Sequence, residues 1–102
     1  MKKPDTTYDA WVAQRLAKNP TLAAEYLRTL MEDASAENGA ALLRALKQIA
    51  QAQGLTKVAK KAGIHRESLS RALSARGNPR VDTLMTITRA MGLQLTVQPI
   101  TP

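Results

Sequence analysis

Residues 66 to 71 read Arg-Glu-Ser-Leu-Ser-Arg, a run whose side chains suit the edges of base pairs. Arg66 and Arg71 each carry a fork of donors matched to guanine O6 and N7, Glu67 can accept from cytosine N4, and Ser70 suits several edges or a phosphate. Leu69, Ala72 and Leu73 follow at i, i+3, i+4, the spacing of one buried helix face. That burial leaves Arg66, Glu67, Ser70 and Arg71 together on the outside as base-contact candidates.

A helix that enters a major groove roughly 12 Å wide must be held away from the body of the protein. A second helix does this, joined to the first by a turn with no room for side-chain bulk. The preceding stretch has the residue types this requires: Ala59 is small enough for a helix crossing, Gly63 can take the positive φ of a turn, and Val58, Ile64 and Leu69 can fill the wedge. This is the pattern of a helix-turn-helix, although a plain αα-corner uses the same apolar spacing. Charge separates the two readings.

Lys and Arg number 15 against 8 Asp and Glu, for a formal charge of +7 and a pI near 10.3. Residues 1–38 carry a net −1, whereas residues 39–102 carry a net +8, so a polyanion should meet the C-terminal two thirds. Lys57, Lys60, Lys61, Ser74, Arg76 and Arg80 flank the candidate helix pair, and His65 occupies its N-cap position. These seven are expected to contact phosphates, which position a duplex without specifying its sequence.

Catalysis has little to work with. The region offers only Glu67 and Asp82 as carboxylates, too few to cluster around a hydrolytic metal ion. His65 is the sole histidine and there is no cysteine, so neither a metal shell nor a thiol nucleophile is available. No glycine loop of the phosphate-cradling or dinucleotide type occurs. The expectation is a binding protein with no enzyme activity, no metal and no cofactor. The absence of cysteine fits a reducing cytoplasm, and no apolar run reaches the roughly 20 residues of a membrane span.

The elements that would carry this site are legible from periodicity. Asp9 is expected to cap a short helix bearing Trp11, Val12 and Leu16. Asn19-Pro20 ends that helix and opens one with Leu22, Tyr26, Leu27 and Leu30, running to about Asp33. After a linker at 34–38, Leu42, Leu43, Leu46, Ile49 and Ala50 predict a helix stopped by Gly54. Thr56 is expected to cap the next, ended by Gly63, with another over Arg66 to Leu73. A last helix from Val81 is closed by Gly92. Beyond it Leu93, Leu95 and Val97 alternate with polar residues, the pattern of a half-buried strand. With 13 Leu, 17 Ala and no Phe, the core must rely on small side chains that let helices cross closely.

Residues 55–92, through "NPRVDTLMTITRAMGL", resemble the helix-turn-helix of the phage-repressor and Cro (Xre) class. The start of the first motif helix, around Leu55-Thr56, is shorter than in the common form. Over residues 8–98 the layout resembles the narrower group of probable addiction-module antidote proteins, from "YDAWVAQRLAKNPTLAAEYLRTLMED" to "GLQLTV". That resemblance implies an antitoxin that binds a RelE/ParE-type toxin and represses their shared operon. A stand-alone phage-type repressor without a toxin is the alternative, and a module for an acidic protein is a third reading.

Two further expectations concern partners. Residues 1–38 form an N-terminal helical extension that is a candidate toxin-contact region. There Tyr8, Trp11 and Tyr26 either anchor an interface or, more simply, pack on the core. A single strand cannot satisfy its own backbone, so Leu93, Leu95 and Val97 are expected to pair with a twin chain in a homodimer reading a palindromic operator, or with the toxin's sheet edge. The fold expected is all-α: a lambda-repressor-like helix-turn-helix bundle of about six helices, with the DNA-binding part at 39–102 ending in a short C-terminal β-strand.

Overall fold

The computed structural model describes residues 4–32, 38–74 and 76–100, with the side chains of residues 4–9 and 38 outside that description. Six α-helices and no strand occur among the described residues: α1 (Pro4–Ala17), α2 (Pro20–Glu32), α3 (Asn38–Gln53), α4 (Leu55–Ala62), α5 (Arg66–Ala72) and α6 (Val81–Ala90). The first helix starts at Pro4 rather than behind a cap at Asp9, which lies within it. Proline is suited to a first helical position, where its missing N–H breaks no bond. Asn19 does cap α2, its Oδ1 accepting from the Leu22 N–H at 3.1 Å. The expected linker at 34–38 lies outside the described residues except for Asn38, where α3 begins.

The third helix is the spine, with α1, α2 and α4 packed on it. Its Leu46, Ile49 and Ala50 join Val58, Leu69, Leu73 and Ile87 in one buried cluster. Ala13, Ala23, Ala45 and Ala59 are buried too, and their lack of bulk lets leucine and isoleucine from the neighbouring helix fill the space an aromatic would otherwise take. Thr88 is the buried polar residue, its hydroxyl donating to the Met85 carbonyl at 3.0 Å.

Only Gly54 separates α3 from α4, at φ 105°. The Val58 N–H already donates to Gly54 O at 2.9 Å, so the expected cap Thr56 falls inside the first turn. A glycine that redirects the chain in one residue leaves no linker in which a threonine could cap.

The two ends that matter most are closed the same way. At Gly63 (φ 73°) the Gly63 N–H donates to Lys60 O at 3.2 Å and the Ile64 N–H to Ala59 O at 3.1 Å. At Gly92 (φ 89°) the Gly92 N–H donates to Arg89 O at 3.0 Å and the Leu93 N–H to Thr88 O at 2.9 Å. Both are the Schellman arrangement, which needs a residue at positive φ. Gln53 adds a pin between α3 and α6, its side-chain amide donating to Met91 O at 3.0 Å.

The strand expected at 93–98 is not formed. Leu93 and Leu95 are half-buried against Leu27, Leu42, Leu46 and Leu84, but Val97 is 97% exposed. Among the described residues, 94–100 make no backbone hydrogen bond. The pattern alternates, but a ladder needs a second strand, and none lies among the described residues.

Candidate nucleic-acid interface

Two short helices and a turn position the candidate site. The Schellman closure of α4 lets the chain reverse within Gly63 to His65, and α5 then starts at Arg66. His65 occupies the N-cap position in extended conformation (φ −71°, ψ 146°) without a side-chain cap bond, and its ring is exposed. The helix is held by Leu69 and its C-cap Leu73, both 0% exposed. Arg66, Glu67 and Arg71 lie exposed, and Ser70 is half-buried. Three of the four expected base-contact residues are therefore fully at the surface, and Ser70 is recessed between them and the core. Glu67 in the first turn and Arg71 in the last also complement the helix dipole.

The residues expected to hold phosphates divide into groups. Lys57, Lys60 and Lys61 are all exposed on α4, with Lys57 and Lys61 one turn apart on the same side. Arg76 is exposed in the loop after α5. Arg80 is exposed at the foot of α6, its Nε 3.6 Å from Asp82 Oδ1, a surface pair that contributes little. Ser74 is half-buried, its hydroxyl donating to Arg71 O at 3.0 Å.

Gly77, in the loop between α5 and α6, also positions the site. A Cβ there would press into the carbonyl oxygen of Ala72 and lie 2.9 Å from that of Arg71. The Gly77 N–H donates to Ser74 O at 2.8 Å, so the loop carrying Arg76 folds directly against the end of α5. A glycine in a polar loop carries no signal of such close approach.

Among the described residues the one ion pair is Arg80–Asp82, and the basic side chains of α4 and α5 have no carboxylate partner there. No group of three or more His, Asp or Glu among the described residues could hold a metal ion. None of the helices is long and apolar enough to cross a membrane.

The N-terminal pair differs in kind. Trp11 is 59% and Tyr26 42% exposed, so of the two expectations for them burial in the core is the one that does not hold. The reason is rotational: α1 turns Ala13 and Leu16 inward, which leaves Trp11 on the outer side with Arg15 stacked 5.3 Å from its ring centroid. A recess of about 230 Å³ lined by Val12, Leu16, Tyr26 and Ile49 adjoins them. Tyr8 lies outside the residues whose side chains are described.

A family model described as "Probable addiction module antidote protein" matches residues 6–99. The chain belongs to that family. An uncharacterised protein of Haemophilus influenzae is 40% identical over 73 residues, which are 72% of each chain. No solved structure gives a significant match. Membership of an antidote family implies, in general, a toxin as partner.

Proposed function

We propose that this antidote protein is also a sequence-specific DNA-binding repressor of its own operon, with α4 and α5 acting as a helix-turn-helix of the phage-repressor (Xre) type in a lambda-repressor-like bundle. One observation carries the reading: α5 is anchored by two wholly buried leucines while Arg66, Glu67 and Arg71 are exposed, in the part of the chain with net charge +8. Buried stems under exposed forked donors are what groove recognition needs. Lys57, Lys60, Lys61, His65, Arg76 and Arg80 then hold the backbone. The protein acts by binding, without catalysis.

The toxin in this proposal is of the RelE/ParE type, as the layout of the chain suggests, and it docks on α1 and α2. Exposed Trp, Tyr and Arg side chains beside an apolar recess have the composition of an interface hot spot. Two copies pair through residues 93–98, which have donors and acceptors to share, and so match a palindromic operator.

The test is a gel shift with the DNA upstream of the gene, with and without unrelated competitor of equal length. Retarded migration that survives competitor supports the repressor; equal competition by random DNA contradicts it. Light scattering of the isolated protein at micromolar concentration decides the dimer, and a monomer there removes the paired strands.

A further inference from the structure

On the flank of α4, away from its packing against α5, an open cleft of about 350 Å³ brings together three lysines from distant parts of the chain: Lys57 and Lys61 of α4, and Lys18 just beyond the end of α1. The amides of Gln14 and Gln53 line it as well, and no acidic residue does among those described. None of the three ammonium groups has a carboxylate partner among the described residues, where the one ion pair is elsewhere. Like charges gathered round one opening repel each other, and no carboxylate among the described residues is paired with them to offset this. Such a cluster suits an anion supplied from outside, with lysine ammoniums as point charges and amide N–H groups as neutral donors.

We propose that this cleft seats a backbone phosphate of the duplex, and that Lys18 is a phosphate contact contributed by the N-terminal extension. The proposal rests on the repressor reading and changes its boundary. Residues 1–38 carry a net −1 and were assigned away from DNA on that ground, yet the fold places one of their five basic side chains beside two from the basic region. Average charge over a segment hides a single cation at a helix end. The source is the duplex rather than a free anion because Lys57 and Lys61 make the cleft continuous with the exposed basic side of α4. The bland role for Lys18 is to complement the negative end of α1. That role would show in thermal stability and not in salt dependence.

The test measures operator affinity at several salt concentrations for the wild-type chain, K18Q, K18R and R28Q. Arg28 is exposed on α2 and lines a different groove, so R28Q removes the same charge away from the cleft. The expected result is a plot of log affinity against log salt whose slope is shallower by about 0.9 for K18Q, with K18R and R28Q like wild type. The loss should be equal on operator and random DNA, and the melting temperature of K18Q unchanged. Wild-type binding with K18Q and R28Q giving the same slope overturns the cleft and leaves the repressor standing. No binding by wild type overturns the repressor itself. If inorganic phosphate at matched ionic strength erases the difference between K18Q and wild type, the cleft takes the free anion and the duplex assignment is overturned.

Discussion

The α4–α5 pair and the α1–α2 pair both rest on the same spine helix, yet they expose opposite chemistry. On α5 every large apolar side chain is buried and the surface is charged; on α1 and α2 a tryptophan, a tyrosine and Met31 stand exposed. A charged rim over a locked apolar base suits a partner that stays wet and polyanionic. Exposed aromatic surface suits a partner that removes water from it. The difference teaches that one small core can carry two chemically distinct surfaces, one charged and one aromatic.

The largest effect should come from the base shared by both regions. Leu69→Ala removes a wholly buried side chain next to the α4–α5 turn and should cost about 2–5 kcal/mol of stability, read from denaturant unfolding. If the loss is under 1 kcal/mol, α5 is not anchored as described. Trp11→Ala should then separate the regions: toxin affinity falls by about 2 kcal/mol or more, while operator affinity and unfolding midpoint change little. Calorimetry with the cognate toxin checks this, and an undiminished heat of binding moves the toxin elsewhere. Arg71→Ala should do the reverse, costing about 1–3 kcal/mol on the operator and relaxing one base preference, while Lys60→Ala weakens all sequences alike and lowers the salt slope by about one. Equal losses on specific and random DNA for Arg71→Ala would contradict the base-reading role. The smallest effect belongs to Asn19→Ala, which removes the α2 cap at a cost of about 1 kcal/mol and should lower the melting temperature without touching the DNA salt slope.

Much of this architecture was legible in the residues, and the exceptions share a cause. Asn19, Gly63 and Gly92 mark ends because capping and positive φ depend on one residue and its immediate neighbours. Leu69 and Leu73 fix the inner side of α5 because helical period is local. The misplaced caps at Asp9 and Thr56 arose where Pro4 and Gly54 offered earlier starts. What could not be read is tertiary: the rotation of α1 that exposes Trp11, the carbonyls pressed against Gly77, the pin from Gln53 to Met91, and the meeting of Lys18 with Lys57. Each depends on two segments far apart in the chain. The strand pattern of Leu93, Leu95 and Val97 is of another kind, since alternation marks a half-buried face but does not supply the neighbour a ladder needs.

Trp11 is the sole indole in the chain, and it stands on the surface rather than in the core. Its emission in the native state should therefore lie to the red of a fully buried indole's, with Arg15 over its ring. When a partner covers α1, the emission should move to the blue. The protein thus carries one optical reporter, placed to respond to whatever docks on its N-terminal helices.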